Sequence, residues 1–388
     1  MLDQKRFAAR PEEVGIDAGK LDDLFARVAR DVDDGPLPSA QVAIARNGKI
    51  AGMRTFGSAV QGGELKPATD ATLYCIYSCT KVIVASAVWT LFEDGVLSLD
   101  ERVADIIPEF GTNGKDAITV EQVLLHQGGF PMAPFAAEHW ESREKLLEAF
   151  SNWHLNWEPG TRYEYHATSA HWVLAEIIRR RTDKDYKTYI RERITGPMGL
   201  DDLYVGLPDT LGHRFAEIRW VGEMTPPPGG WGEVTPEAVT NFNKPHVLRG
   251  GVPGGGGVTS AAELAMFYQV LLNGGETPEG TPVLKPETIE FALEVRNRLP
   301  DPNFGVPANR GLSIVIAGDD GQAFMRGFGK TASPSAFGHG GAGGQIAFGD
   351  PATGISVGYC TNGFEDWMSV GRRLTAIASR AAACALPG

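Results

Sequence analysis

The sequence predicts an α/β domain that is built from both ends of the chain and interrupted by a mostly helical (all-α) domain. Strand patterns occur near both termini, whereas helical periodicity dominates the middle of the 388 residues. We therefore place the α/β domain at residues 1–72 and 250–388. The helical domain, with its long loops, takes residues 73–249. The crevice between two such domains is the expected place for a binding site.

The first part of the chain predicts a helix followed by a β-hairpin. Apolar residues recur at helical spacing between Ile16 and Val32. Two strand-like runs, residues 42–46 and 49–52, are separated by Asn47-Gly48. Asn-Gly is the strongest short signal for a hairpin turn.

The middle and the end of the chain differ in pattern. Between residues 99 and 194 the signals are mostly helical, and residues 205–257 are rich in glycine and proline, including Pro226-Pro227-Pro228, so we expect long surface loops there. After Ser260 the patterns predict two helices and three strands. The helices are at 261–272 and 367–382, and the strands are at 312–317, 345–348 and 355–360.

The most informative stretch is a serine three residues before a lysine, Ser78 and Lys81, at the start of an apolar run at 82–92. That run predicts a helix buried on all sides. Positions i and i+3 share a helix face, so the two side chains can meet. Burial and the positive end of the helix dipole are expected to lower the pKa of the lysine. A serine beside such an amine is an activated nucleophile.

A second copy of this spacing, Ser142 and Lys145, lies among glutamates and predicts an ordinary helix start with Ser142 as N-cap. Cys75 and Cys79 flank the first copy, but cysteines in an apolar helix are usually small core residues.

Composition narrows the classes of partner. A net charge of −12 argues against nucleic acid or an anionic membrane. The four cysteines and eight histidines show no metal-ligand spacing, so neither a metal nor a cofactor is expected. Residues 1–7 contain no apolar leader segment, so cytoplasm is the default location. The oligomeric state is left open.

Five motifs occur in an order that resembles the serine β-lactamase and penicillin-binding-protein superfamily, in particular class C β-lactamases and family VIII carboxylesterases. The resemblance spans about residues 12 to 380. It implies a β-lactamase-like fold, in which an antiparallel sheet with flanking helices carries an inserted helical domain. The motifs are Ser78 to Lys81, Leu124 to Pro131, Pro159-Gly160 with Tyr163 to Ala167, Gly254 to Gly257, and Gly338 to Gly344.

The resemblance also implies catalytic roles. Ser78 matches the acylated serine, Lys81 the lysine of the same motif, and Tyr165 the tyrosine that shuttles protons. Tyr163 competes for that last role, because it also follows Pro159-Gly160. The backbone N–H groups of Ser78 and Ala342 correspond to the oxyanion hole.

The segment His339-Gly340-Gly341 stands where the family has Lys-Thr-Gly or, in the esterases, His or Trp before Gly-Gly. We expect an edge strand against which substrate lies, with the two glycines allowing close backbone approach. Lys330-Thr331-Ala332 is an alternative position for this motif, although the loop-like residues after it argue against that.

Two departures from the family pattern bear on the substrate. Ala167 replaces an asparagine that binds a β-lactam amide, and His339 replaces a lysine that helps to hold the substrate carboxylate. Phe130 and Phe135 offer an apolar pocket instead. We therefore expect a serine carboxylesterase whose partner is a small-molecule ester. The alternatives are an amidase, an acyltransferase, a weak β-lactamase or, from another class, a catalytically silent scaffold.

Overall fold

A computed structural model describes residues 2–226, 230–231 and 234–387. Pro227 and Pro228 of the predicted proline-rich loop lie outside the described residues. The strands are β1 (Ser39–Arg46), β2 (Lys49–Gln61), β3 (Glu64–Pro67), β4 (Tyr74–Cys75), β5 (Tyr204–Val205), β6 (Arg219–Trp220), β7 (Gly257–Thr259), β8 (Val315–Ile316), β9 (Phe337–Gly340), β10 (Ile346–Asp350), β11 (Ile355–Thr361) and β12 (Gly363–Phe364).

The α-helices are α1 (Ala18–Asp33), α2 (Thr80–Glu93), α3 (Val103–Ile106), α4 (Val120–Leu124), α5 (Arg143–Asn152), α6 (Ser169–Thr182), α7 (Tyr186–Ile190), α8 (Pro236–Thr240), α9 (Pro245–Gly250), α10 (Ala261–Leu272), α11 (Pro286–Leu293) and α12 (Trp367–Ala382). Short 3-10 helices occupy Gln4–Arg6, Pro11–Val14, Tyr77–Cys79, Pro108–Phe110, Ala137–His139, Asp209–Arg214, Asn241–Asn243 and Ala323–Arg326, and a π-helical turn occupies Arg191–Thr195. Across the described parts of the chain, no helix combines the length and the apolar character needed to cross a membrane.

The main sheet joins strands from both ends of the chain. Its seven strands in the described residues run in the order β3-β2-β1-β11-β10-β9-β8. Every neighbouring pair is antiparallel, and the two ends of the chain meet where β1 pairs with β11. The prediction of a sheet assembled from both ends is confirmed.

The predicted hairpin is also confirmed. Arg46 pairs with Lys49 across the turn. Asn47 and Gly48 have φ angles of 53° and 75°. Two consecutive residues with positive φ form the turn type that matches the twist of a hairpin, which is why Asn-Gly occurs there.

Helices cover both faces of the main sheet. Helix α10 packs against β1, β10 and β11, while α1 and α12 pack on the opposite face. All seven residues of β11 are therefore buried. Its larger residues alternate with smaller ones, and Ser356 Oγ donates to the Ala265 carbonyl of α10 at 2.8 Å.

The helical part is organised around α2, whose residues from Thr80 to Leu91 are all buried. It packs against α6, α7 and α11. Helix α11 falls within the range 250–388 that we predicted for the α/β domain, yet it contacts the central helix of the other part. The domain boundaries therefore remain a proposal.

Two predictions about irregular segments were inaccurate. The glycine- and proline-rich stretch 205–257 contains the short helices α8 and α9, so it is not loop throughout. The strand expected at 312–317 is confined to Val315–Ile316. Periodicity is a weak signal for a two-residue strand or a helix of five or six residues, because such elements complete few repeats.

Candidate active site

Ser78 lies in the tight turn that joins β4 to the buried helix α2. The residue before it, Tyr77, has a φ of 43°, a left-handed conformation that is strained for a bulky side chain. The Tyr77 ring packs edge-on against Phe242, with centroids 5.5 Å apart. On the other side, the Cys79 thiol donates to the His339 carbonyl at 3.2 Å. The turn is thus held against β9, and Ser78 lines a cavity.

Lys81 is fully buried and directed at this serine. Its Nζ lies 3.2 Å from Ser78 Oγ and donates to the carbonyls of Ala167 at 2.7 Å and Gly254 at 2.6 Å. The two carbonyls belong to distant parts of the chain, and together they fix the position of the amine. The structure therefore brings Ser78 and Lys81 into contact.

The neighbouring cysteines are poor nucleophiles in this environment. Burial raises the pKa of the Cys75 thiol to about 12 and raises that of Cys79 further. The thiolate is the reactive form of cysteine, and these shifts suppress it. Both positions behave as the small core residues that the sequence predicts.

Tyr165 is the tyrosine that faces the serine and the lysine. Lys81 Nζ lies 4.9 Å from the centroid of its ring. The Tyr165 hydroxyl forms no hydrogen bond of ordinary geometry with a described residue. The Ser78 hydroxyl is nevertheless close enough to the Tyr165 hydroxyl to lower the pKa of Tyr165. Burial raises the pKa of Tyr165, while the charge of Arg310 and the Ser78 hydroxyl act in the opposite direction.

The competing Tyr163 has a different partner. Its hydroxyl accepts a hydrogen bond of 2.9 Å from Arg310 Nε, and burial raises its pKa. The structure therefore brings Ser78, Lys81 and Tyr165 together, whereas the Tyr163 hydroxyl is bonded to Arg310.

The motif around His126 holds the tyrosine segment in place. His126 has a φ of 56°, and its ring lies 4.9 Å from that of Tyr165. The N–H of His166 donates to His126 Nδ1 at 3.2 Å, and the N–H of Phe130 donates to His166 Nε2 at 3.1 Å. Both histidines accept from the backbone, which requires neutral rings, and burial lowers the pKa of His166 to about 4.

The prediction of an edge strand at His339 is wrong. In the main sheet β9 lies between β10 and β8, and it is β8 that forms the edge. Strand β8 is so short that it pairs with Phe337 and Gly338. Among the described strands, His339 and Gly340 pair with β10 alone. No described strand pairs with them on the second side, although the nucleophile turn contacts His339 through Cys79.

The His339 side chain is engaged within the protein. Its Nδ1 lies 2.7 Å from the Gly340 carbonyl, and its Nε2 lies 3.4 Å from Arg310 Nη1. Because a carbonyl only accepts and a guanidinium only donates, Nδ1 carries the proton. Burial and the charges of Arg310 and Lys81 hold the pKa of His339 well below its usual value. His339 is therefore neutral near pH 7.

Gly341 and Ala342 follow β9 and lie beside the nucleophile turn. The Gly341 N–H donates to the Gln345 carbonyl at 2.9 Å. A Cβ on Gly341 would lie 2.6 Å from the Ile76 carbonyl oxygen, whereas a Cβ on Gly340 would meet only the Gln345 carbonyl oxygen, at an ordinary 3.7 Å. Ala342 lines the same cavity as Ser78. Close backbone approach was predicted for both glycines. The structure shows it at Gly341, towards the Ile76 carbonyl, and not at Gly340.

We expect Gly341→Ala to lower kcat by about 10- to 100-fold, because the displaced strand end carries the Ala342 N–H, one of the two proposed oxyanion donors. Gly340→Ala is the matched control for folding, because its Cβ would meet no close contact within the protein, and it should leave Tm unchanged. Steady-state hydrolysis of p-nitrophenyl butyrate, together with Tm, measures both. Equal activity of the two variants would show that the close contact at Ile76 does not set the position of that amide.

The cavity at Ser78 has a volume of about 520 Å³. Phe135 and Ala167 line it, as predicted, together with residues from the predicted loop region. No charged side chain stands among the described residues that line it, which are Tyr77, Ser78, Met132, Pro134, Phe135, Ala136, Ala137, Trp140, Ala167, Thr168, Val234, Ala238, Val239, Asn241, Phe242, Val252, Gly254, Gly255 and Ala342.

The substrate-binding role predicted for Phe130 is not compatible with its position. Phe130 is completely buried and packs against Phe110, Trp153 and His166, with centroids 5.3, 6.1 and 4.7 Å away. It belongs to the core beneath the site. His339, Gly340 and Gly341 also stand outside the lining of the cavity, so a substrate contact at these positions remains a prediction.

Sequence reasoning missed two parts of the site. Arg310, in the irregular segment before β8, contacts both tyrosines and His339, and no motif singles it out. Helix α8 and the following 3-10 helix supply a wall of the cavity through Val239 and Phe242. A signal for that wall did exist, because Thr235-Pro236 is a typical helix start: Thr235 caps α8 and Pro236 occupies its first turn.

The rejected alternatives lie away from this cavity. Ser142 caps α5 by accepting from the Lys145 N–H at 3.3 Å, and the Lys145 amine pairs with Glu148 on the surface. Lys330 and Thr331 bond to Ser379 of α12 instead of approaching Ser78. Within the described residues, no cluster of three or more histidine, cysteine, aspartate or glutamate side chains could hold a metal ion.

Comparison with known proteins agrees with this geometry. The model of the beta-lactamase family matches residues 24–382. Among characterised sequences, the chain is similar to the esterase/beta-lactamase LipL of Mycobacterium tuberculosis. The two are 28% identical over 310 residues, which cover 74% of this chain and 68% of LipL.

Two solved structures are similar over nearly the whole chain. One is a penicillin-binding protein homologue from Caulobacter crescentus and the other is a family VIII carboxylesterase. Each is 27% identical with a TM-score of 0.78, and each alignment covers 95% of this chain and 99% of the other.

Proposed function

The chain belongs to the beta-lactamase family, with the β-lactamase-like fold of a serine hydrolase, and from this premise we propose that it is a carboxylesterase for small, uncharged esters. The observation that supports this choice is the cavity at Ser78, whose described lining is mostly apolar and carries no charge. The similarity to a family VIII carboxylesterase and to an esterase/beta-lactamase supports the same choice.

Aromatic and aliphatic side chains surround the space next to the nucleophile. The lining includes Phe135, Trp140 and Phe242, whose rings are large, together with Val239 and Val252. Burial of apolar surface there favours an acyl or alcohol group without charge, at roughly 25 cal/mol per Å². A volume of about 520 Å³ accommodates a small ester.

Groups that recognise β-lactams and peptide carboxylates are missing from the same region. Ala167 has no side-chain amide, and the neutral His339 uses both ring nitrogens within the protein. A substrate amide or carboxylate that loses water there without a partner costs on the order of 1–3 kcal/mol, and more when it is charged. This cost favours esters over β-lactams.

The proposed reaction proceeds through an acyl-enzyme. Tyr165 and Lys81 take the proton from Ser78, and Oγ forms a bond to the ester carbonyl carbon. The N–H groups of Ser78 and Ala342 stabilise the oxyanion. As the C–O bond breaks, the proton passes to the departing alcohol. Water then attacks by the same route, which releases the acid and restores the serine hydroxyl.

We expect kcat/KM for p-nitrophenyl butyrate to exceed that for nitrocefin by at least about 10²-fold, and by up to 10⁴-fold, because two polar partners are absent. A matched substrate isolates the charge: p-nitrophenyl hemisuccinate resembles the butyrate in length but ends in a carboxylate, and it should be hydrolysed at least about tenfold less efficiently. Nitrocefin turnover as efficient as that of the best ester would contradict the proposal.

Ala167→Asn tests the amide partner separately, and it should raise the nitrocefin rate relative to the ester rate. His339→Lys is a less suitable test. It places a second cation beside Arg310 Nη1, which lies 3.4 Å from His339 Nε2, and the mutual repulsion is expected to lower Tm. An unchanged nitrocefin-to-ester ratio in Ala167→Asn would show that this position does not set the preference.

A further inference from the structure

Arg310 is a buried cation behind the proposed catalytic residues. It is 8% exposed, and its guanidinium carbon lies 5.1 Å from the ring centroid of Tyr165 and 5.4 Å from that of Tyr163. Its Nε donates to the Tyr163 hydroxyl at 2.9 Å, and its Nη1 lies 3.4 Å from His339 Nε2. All of these partners are neutral.

The backbone holds Arg310 rigidly in this place. Its N–H donates to the Asn297 carbonyl at 3.0 Å, and its carbonyl accepts from the N–H groups of Arg296 and Asn297 at 2.9 and 3.1 Å. Among the residues that the structure describes, no carboxylate lies within ion-pair distance of the guanidinium. A buried charge without an opposite charge is costly, and its retention next to a proposed active site indicates a functional use.

We propose that Arg310 is a positioning residue that provides Tyr165 with a fixed positive charge. His339, the neighbouring residue on β9, is neutral and does not supply one. This inference rests on the proposed serine-hydrolase chemistry, in which Tyr165 and Lys81 exchange a proton with Ser78. The Tyr163 hydroxyl and His339 Nε2 hold the guanidinium, so that the charge stays beside the Tyr165 ring.

Several other groups face Tyr165 and share in its ionisation. Burial raises the pKa of Tyr165, and the charge of Arg310 is the largest influence that lowers it. A positive charge within about 4–6 Å lowers the pKa of an acid by about one to three pH units. The facing groups are Lys81 on α2, His126, Tyr163, Arg310, His339 on β9, and the Ser78 and Cys79 side chains.

Loss of the Arg310 charge is expected to shift the pH dependence of activity to higher pH. The reactive enzyme needs Tyr165, coupled to Lys81, in the form that accepts the serine proton. Loss of the Arg310 charge raises the pKa of this pair, so a larger share remains protonated at neutral pH. The acidic limb of the activity profile then moves to higher pH, and activity returns in part when the pH is raised.

The test compares Arg310→Met, which removes the charge but keeps much of the volume, with Arg310→Lys, which keeps the charge. The rate of labelling by a fluorophosphonate probe is followed by intact mass across the pH range, alongside hydrolysis of p-nitrophenyl butyrate. We expect the acidic limb of Arg310→Met to move up by about one to two pH units, with a loss of about 10- to 100-fold at neutral pH. The limb of Arg310→Lys should move by less than half of that.

Lys115→Met is the matched control, because the Lys115 side chain is also buried, held by the Thr112 carbonyl at 2.8 Å and by the Trp153 carbonyl, and does not line the cavity. It should lower Tm without moving the limb. An Arg310→Met enzyme that loses activity equally at every pH would overturn the proposal. So would an unfolded Arg310→Met combined with an Arg310→Lys enzyme whose limb moves as far as two pH units.

Serine labelling separates the ester-hydrolase proposal from the proposed role of Arg310. An enzyme that hydrolyses no ester but is labelled at a serine still reports the pH dependence of nucleophile activation. In that case the substrate proposal fails, and the labelling profiles of the Arg310 variants decide the role of the arginine independently.

Discussion

Ser78→Ala is expected to lower kcat/KM for p-nitrophenyl butyrate by about 10⁴- to 10⁶-fold, the usual consequence of removing the nucleophile of a serine hydrolase. Lys81 Nζ lies 3.2 Å from Ser78 Oγ and is itself fully buried. The alanine variant should bind substrate and fold normally, because the lost group is small and partly exposed.

Ser142→Ala is the matched control from the second serine–lysine pair in the sequence. It removes an N-cap hydrogen bond to Lys145, which costs about 1 kcal/mol of stability and leaves the distant cavity unchanged. Fluorophosphonate labelling followed by peptide mapping should place the adduct on Ser78. Comparable losses in both variants, or an adduct on Cys79, would refute the assignment of the nucleophile.

Tyr165→Phe is expected to lower kcat by about 10²- to 10⁴-fold, the usual range for a group that transfers a proton in the transition state. The Tyr165 ring centroid lies 4.9 Å from Lys81 Nζ, and the nearby Ser78 hydroxyl lowers the pKa of Tyr165. Phenylalanine keeps the ring packing against His126 and removes only the hydroxyl. KM should therefore change little while kcat falls.

Tyr163→Phe distinguishes the two tyrosines that sequence alone left in competition. It removes the hydrogen bond from Arg310 Nε but not the cation, so we expect a loss of less than about tenfold. Steady-state kinetics on both variants, with Tm as a check of folding, decides the matter. A larger loss in Tyr163→Phe than in Tyr165→Phe would assign the proton transfer to Tyr163.

Local signals were sufficient for most of the fold. The Asn47-Gly48 turn and the long amphipathic helices at both ends are encoded by residues a few positions apart, and the observed α1, α10 and α12 agree closely with the predicted ranges. Shorter elements such as β8 and α8 were missed or misplaced. The conformation of β8 depends on its pairing with β9, which a single sequence does not display, whereas α8 did have a local signal in Thr235-Pro236.

The same division applies to the site. Ser78 and Lys81 share one helical turn, so their spacing alone predicts that they meet. Phe130 and Phe135 are both apolar and only five residues apart, and no local pattern separates them. The tertiary structure buries Phe130 under His166 and places Phe135 in the cavity wall, because the chain turns away from the core between them.

The sequence by itself determined that a serine and a lysine meet at the start of a buried helix, and that strands from both ends of the chain form one sheet. Only the tertiary structure decided that β9 is an internal strand, that Tyr165 rather than Tyr163 faces Ser78, and that Arg310 stands behind both tyrosines. The physical reason is how far apart along the chain the interacting residues lie. Helix faces and turns depend on neighbours within a few residues, whereas Arg310 lies 147 residues from Tyr163 along the chain and reaches it only through the folded packing of the two parts.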